Sequence, residues 1–297
     1  MNNKIIFSII IPTYNRPEQL TSCLEAIALL SYPHDCFEVI VVDDGSKTPL
    51  NGVVALFRNK INIQLLRQEN AGPATARNRG TAVAKGEFLA FTDDDCQPTP
   101  DWLDRFAEGF ARDSEAMLGG KTINALDNNP FSTASQKLID YIYDYQNLVK
   151  SKDAFFSSNN IAVPTTNFKA LNGFSTSYPF ASEDRDFCDR WSQVYPSVYI
   201  PQAQVYHYHR LNLITFCQQQ FSYGRGGFRF HRTRASRNAE RIKLQSRSFY
   251  LDLLLYPFSQ ATKQSKFVIF CLFLISQIAI TVGFFWEKSN FKVIKTV

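Results

Sequence analysis

An α/β fold is what this chain of 297 residues predicts: a mostly parallel central sheet flanked by helices, then a helical, apolar C-terminal segment. Three observations lead there. Short apolar runs alternate with amphipathic stretches through the first hundred residues, the pattern of successive strand–helix–strand units. Polar and acidic clusters stand at the ends of three of those runs, where parallel sheets bind their ligands. A hydrophobic content of 45%, with 14% aromatic, supports a packed core and argues against disorder.

Residues 5–11 are an apolar run that stops at Pro12, too short for a leader segment and read as the first strand. Residues 17–30 carry Leu20, Leu24 and Ile27 at helical spacing. Residues 37–42 form a second strand ending at Asp43-Asp44-Gly45-Ser46, and 50–57 a short helix. Residues 61–66 read as a third strand, and 73–84 as a helix with Pro73 in its first turn. Residues 87–92 form a fourth strand, ending at Asp93, Asp94 and Asp95. Beyond it, 102–110, 134–148 and 183–193 look helical, while 157–163 and 197–208 look extended. From about residue 211 the pattern turns helical and basic, then apolar. A boundary near Arg247 separates a globular unit, 1–247, from an apolar segment, 248–297. Within the unit, residues 1–110 and 111–225 form two halves and 225–247 a basic connecting segment.

Charge divides the same way. Residues 1–200 hold 18 Lys/Arg against 24 Asp/Glu, and residues 201–297 hold 14 against 3. Residues 267–286 are 20 residues without a charge, long enough to cross a bilayer and flanked by lysines on both sides. They are expected to span a membrane or to lie on one. The eight Arg/Lys of 225–247 are expected to meet anionic lipid and not nucleic acid, because they lead into an apolar segment. Six scattered cysteines show no metal-ligand spacing and suit a reducing compartment. No G-x-G-x-x-G follows the first strand and no G-x-x-x-x-G-K-[ST] occurs, so a dinucleotide fingerprint and a P-loop are both poorly supported.

Three adjacent aspartates repel one another and lose hydration at a strand end, so a positive partner is expected: a hard divalent cation or a basic side chain. A solvated loop that caps the next helix is the plainer alternative. Tyr14 could stack on a base, and Asp43 could accept a base N–H or simply make a turn. Arg77 could hold a base or diphosphate, or sit on a solvated helix face. Glu183 and Asp184 could serve as a proton acceptor or favour a helix N-terminus. His207 and His209 would share one face of a strand.

Taken in order, PTYNR (12–16), VDDGS (42–46), GPATARNRG (72–80) and TDDDC (92–96) resemble the nucleotide-diphospho-sugar domain of family 2 glycosyltransferases, of Rossmann-like GT-A fold, over roughly residues 4–225. The resemblance implies an inverting transfer of a sugar from a nucleotide-diphospho-sugar to a hydroxyl of a glycan or lipid-linked acceptor, helped by Mn²⁺ or Mg²⁺. It implies a donor site of Pro12, Tyr14, Arg16, Asp43, Arg77, Asp93 and Asp94. It implies Asp95, Asp93 and His207 around the metal. It implies Asp184 as general base, with Glu183 its competitor. Asn159, Asn160, Trp191 and His209 are acceptor-side candidates. Processive members carry Q-x-x-R-W; here Gln220 is followed by Phe-Ser-Tyr-Gly, which favours single transfer. The expected location is the cytoplasmic face of a cell membrane, a bacterial inner membrane by preference. A non-catalytic sugar-nucleotide-binding or assembly protein of the same fold is the alternative.

Overall fold

The computed structural model describes residues 4–145, 154–238 and 245–291. Its strands are β1 (Phe7–Thr13), β2 (Phe37–Asp43), β3 (Ile63–Arg67), β4 (Phe88–Thr92), β5 (Cys96–Pro98), β6 (Met117–Asn124), β7 (Asn160–Pro164) and β8 (Ser197–His207). Its helices are α1 (Pro17–Ile27), α2 (Asn51–Ala55), α3 (Pro73–Val83), α4 (Trp102–Arg112), α5 (Pro130–Tyr143), α6 (Thr165–Ala170), α7 (Glu183–Trp191), α8 (Leu213–Asn238), α9 (Arg247–Ser259) and α10 (Lys266–Asn290). The strands form one sheet in the order β3-β2-β1-β4-β7-β6-β8-β5.

The first four strands are parallel, as their continuous apolar runs predict. The second half is mixed: β7 runs antiparallel to β4 and β6, β8 runs parallel to β6, and β5 antiparallel to β8. Two apolar layers cover the sheet. One gathers Leu20, Leu24, Trp102 and Phe106; the other gathers Phe156, Phe168, Phe174, Phe187 and Trp191. The β5–β8 pairing sets Cys96 beside His207, which returns the distant second half to the aspartate triplet.

Several local expectations change. β6 was not expected as a strand, because Gly119 and Gly120 interrupt its apolar pattern. A side chain at Gly119 would collide with the Phe156 ring, so close packing explains the glycine. α5 begins at Pro130, four residues before the expected start, because the Asn129 side chain accepts hydrogen bonds from the Phe131 and Ser132 amides. The last residues expected for that helix, 146–148, lie outside the described residues. Ser182 stands at the N-cap of α7 but makes no capping bond there and takes a φ of 83°.

The C-terminal helices pack onto the body. Leu138 of α5, Phe216 of α8, Leu253 of α9 and Ile269 and Phe273 of α10 form a third apolar cluster. Farther along, α8 and α10 run side by side in the same direction. A Cβ at Gly283 would meet the Phe221 carbonyl, Arg225 and Arg229 both pair with Glu287, and Arg232 lies over the Phe291 ring. A Cβ at Gly224 would likewise meet the Ile280 carbonyl, so the two backbones approach closely. The basic run is therefore partly neutralised from within, since Arg234 pairs with Asp189 and Arg237 with Asp186 and Asp189. Its Arg241 and Lys243 lie outside the described residues.

Candidate active site

The triplet at the end of β4 is held by a different cation for each carboxylate pair. Arg16 on the loop after β1 donates to Asp94 at 3.1 Å and to Asp95 at 3.1 Å. Arg77 on α3 donates to Asp93 at 2.6 Å and, through its other terminal nitrogen, to Glu183 at 3.1 Å. His207 Nε2 lies 3.3 Å from Asp95 Oδ1. Burial pushes Asp94 up to about 6, against the pull of Arg16. Burial also works to raise Asp95, but His207 and Arg16 hold it well below the usual carboxylate range.

The histidine pair fixes its own protons. His209 Nε2 sits 3.1 Å from the Ser132 carbonyl, an acceptor, so that nitrogen donates. In a neutral ring its Nδ1 is then an acceptor, and it lies 2.6 Å from His207 Nδ1, which must donate. In its neutral form His207 turns a bare Nε2 lone pair toward the Asp95 carboxylate, and in its protonated form it donates there, the contact that lowers Asp95. Two acceptors facing each other call for a proton or a cation between them. A ligating histidine that donates its other ring nitrogen is the usual arrangement around a metal. Burial and His207 lower His209 to about 4, which keeps it neutral. Asp95, Cys96 and His207 bring ligand atoms within 4.8 Å of one another. Burial raises the Cys96 thiol well above its usual value, so the carboxylate and imidazole are the better donors. Oxygen and nitrogen ligands of this kind suit Mn²⁺ or Mg²⁺.

The base-side residues separate. Tyr14 is 45% exposed on the cleft rim. Pro12 also lines the cleft, but Asp43 does not; it is buried, with Oδ1 accepting the Ser46 amide at 2.8 Å. Its Oδ2 has no hydrogen-bond partner among the described residues, and Arg67 Nε is 3.8 Å away. Neighbouring Asp44 accepts the amides of Ala71 and Gly72 at 2.9 Å each and so shapes the loop before α3.

On the opposite wall, Glu183 and Asp184 open α7 and face the same cleft. Burial and the Glu183 charge push Asp184 up to about 7. Asn159 lines the cleft and accepts from the Thr122 hydroxyl at 3.2 Å. His209 lines it too, though its ring nitrogens are taken by His207 and Ser132. Two acceptor-side expectations are corrected. Asn160 is fully buried and locks Trp102 Nε1 and the Lys121 and Ala203 carbonyls. Trp191 is fully buried, with its Nε1 on the Pro196 carbonyl. Arg185 was missed, although its place beside Asp184 was the available signal. Tyr223 on α8 was missed as well, because one tyrosine inside a long helix carries no pattern. The cleft has a volume of about 1310 Å³ and is also lined by residues of α5, α9 and α10.

A mixed α/β sheet brings an acidic strand end to face a carboxylate pair across one cleft, on an architecture shared with GT-A transferases. Residues 8–171, more than half of the chain, match glycosyl transferase family 2, and the chain belongs to that family. It is 32% identical over 157 residues to glycosyltransferase AglE of Haloferax volcanii, covering 52% of this chain and 49% of that protein. It is 31% identical over 189 residues to chondroitin synthase of Escherichia coli, covering 58% of this chain and 27% of that protein. The chain spans about half the length of the first of these relatives and less of the second. The crystal structure of Staphylococcus aureus TarS 1–349 superimposes with a TM-score of 0.56 at 20% identity, covering 96% of this chain and 91% of that one. Mannosyltransferase PcManGT of Pyrobaculum calidifontis, in complex with GDP-Man and Mn²⁺, gives 0.67 at 17%, covering 96% and 88%. At such identities the likeness speaks for the fold. The family and the relatives make the chain a glycosyltransferase enzyme.

Proposed function

We propose that the protein transfers a single sugar, with inversion, from a nucleotide-diphospho-sugar to a hydroxyl of a glycan or lipid-linked acceptor in cell-envelope glycan synthesis. One observation carries the reading: Arg77 joins Asp93 of the donor half to Glu183, the neighbour of Asp184, inside one cleft. Tyr14 stacks on the base, and Asp43 orders the turn at Ser46, whose hydroxyl accepts the Asn15 amide beside Tyr14. Asp93 and Asp94 meet the ribose and diphosphate. Asp95 and His207 hold the divalent cation, with Asp93 beside them. That cation, when bound, stabilises the negative charge that gathers on the departing diphosphate.

Asp184 takes the acceptor's proton. The acceptor oxygen bonds to the anomeric carbon as the bond from that carbon to the diphosphate oxygen breaks. The electron pair leaves on the nucleoside diphosphate. A carboxyl raised toward neutrality is well matched to this task. The bound Glu183 is already committed to Arg77, which favours Asp184 as the base.

We place the protein on the cytoplasmic face of a membrane, a bacterial inner membrane by preference, lying on it through α9 and α10. Leu251, Leu255, Phe267, Ile278 and Trp286 are exposed on those helices. α10 is long and apolar enough to cross a bilayer. Its other face, however, is docked along α8, which carries three consecutive glutamines and several arginines. Hydrocarbon could not solvate α8, so a docked α10 lies in the interface. A melting-temperature screen with UDP-, GDP-, dTDP- and CMP-sugars, each with and without Mn²⁺, tests the donor site. A metal-dependent rise with one nucleotide class is expected; a flat response from folded protein would favour the non-catalytic alternative.

A further inference from the structure

Among the described residues, the arginines of α7 and α8 are matched to carboxylates with two exceptions, Arg232 and Arg185. Arg190, Arg225, Arg229, Arg234 and Arg237 each pair with Asp186, Asp189 or Glu287. Arg232 is unmatched among the described residues and exposed. Arg185 is partly buried, lines the cleft immediately after Asp184, and has no carboxylate in ion-pair contact among the described residues. Its guanidinium stands 5.9 Å from the Phe155 ring and 5.2 Å from the Phe230 ring. Aromatic faces hold a guanidinium in place without satisfying its hydrogen-bond donors, which stay available to an anion.

The same cleft is also walled by Leu138 and Ile142 of α5, Tyr250 and Leu253 of α9, and Ile280 and Phe285 of α10. Tyr250 is 39% exposed and Phe285 56%, so this apolar wall reaches the same surface that presents the exposed apolar residues of α9 and α10. One cleft thus brings together the candidate base, a guanidinium without an ion-pair carboxylate, and apolar walls that reach an exposed apolar surface.

We infer that the acceptor is an amphiphilic phosphate, a glycan carried through a phosphate on an apolar chain, with the phosphate on Arg185 and the chain between α5, α9 and α10. This rests on the proposed transfer reaction and narrows its acceptor. The hydroxyl to be glycosylated lies toward Asp184, the phosphate is neutralised at the next residue, and the chain leaves toward the membrane.

The test uses the full chain in amphipol and calorimetric titration with n-alkyl phosphates of four to eight carbons, n-octanol and inorganic phosphate. Affinity is expected to rise about two- to fourfold per added methylene, as for chains entering an apolar channel. Octyl phosphate should bind at least tenfold more tightly than octanol or inorganic phosphate. Arg185→Gln should abolish the advantage over octanol, and Arg185→Lys should restore part of it. An octyl glucosyl phosphate should bind at least as well as octyl phosphate; weaker binding would identify a bilayer lipid site and overturn the acceptor assignment. Affinity independent of chain length, or equal for octanol and octyl phosphate, would also overturn it, and neither comparison needs a variant. If Arg185→Gln weakened UDP or GDP as much as octyl phosphate, the guanidinium would belong to the donor site. Nucleotide binding by the unaltered protein is followed in parallel: its loss of metal dependence would undo the transfer reading itself, whereas metal-dependent nucleotide binding without alkyl phosphate binding would undo only this inference.

Discussion

Asp184 is half-buried beside Glu183, and that pair of facts sets two opposite responses to one substitution. Asp184→Asn should lower transfer by about 10²–10⁴-fold, the usual contribution of a general base, with nucleotide binding retained in calorimetry. In the unaltered protein kcat/KM should climb as pH passes about 7, where Asp184 ionises. The stability effect has the other sign. A carboxyl raised in the folded state binds its proton more tightly folded than unfolded, so stability falls as pH rises from about 4 through about 7. Asparagine carries no such charge, and the variant should melt several degrees higher than the parent at pH 8. Equal melting points would mean that Asp184 is not the strained carboxyl. His209 gives a separate test. His209→Ala frees the tautomer of His207 and should weaken Mn²⁺ binding about tenfold or more, while Asn160→Ala should act on thermal stability instead. Tyr14, Arg16 and Asp93 to Asp95, read from motifs at strand ends, line one cleft, whereas Asn160 and Trp191 lie in the core. A polar group at the start of a strand, or an indole on a helix, looks alike in sequence whether it faces a ligand or the core.

α8 and α10 show what an element's composition conceals. The run of 20 uncharged residues reports apolarity, and it says nothing about what covers the helix. Glu287 lies just past that run, and its pairing with Arg225 and Arg229 tells which side faces the protein. Removing it leaves two arginines without their partner. Glu287→Ala should therefore cost about 3 kcal/mol, read as a lower melting temperature. Gly283→Val should act alike by driving a side chain into the Phe221 backbone, with faster hydrogen exchange in α10 as its signature. Exchange unchanged in both variants would mean that the contact does not hold the helix. The strands divide similarly: β1, β2 and β4 are legible as continuous apolar runs, while β6 is hidden by glycines that only the Phe156 ring explains.

At the scale of the whole molecule, the proposed interfacial placement of α10 carries a topological expectation. A protein lying on the membrane keeps both ends of α10 on one side. A reporter fused at the C-terminus should be found on the catalytic side, and alkaline carbonate should release the protein from membranes. A reporter on the far side would mean that α10 leaves α8 and spans. The division into an acidic front and a basic rear is plain in the sequence; in the structure the rear supplies walls of the same cleft. How the two are joined was not legible, because the link runs through ion pairs between residues far apart in the chain, such as Arg234 with Asp189 and Arg237 with Asp186.

The β5–β8 ladder has a consequence for the order of events in folding. The aspartates emerge early, yet Asp95 meets His207 only once β8 has been laid against β5, more than a hundred residues later. Pairing across so long a loop is slow to close. During refolding, the early parallel strands should gain exchange protection first, and metal-dependent nucleotide binding should appear only in the final phase. The protein would thus gain its affinity for substrate last, as a sign that its two halves have met.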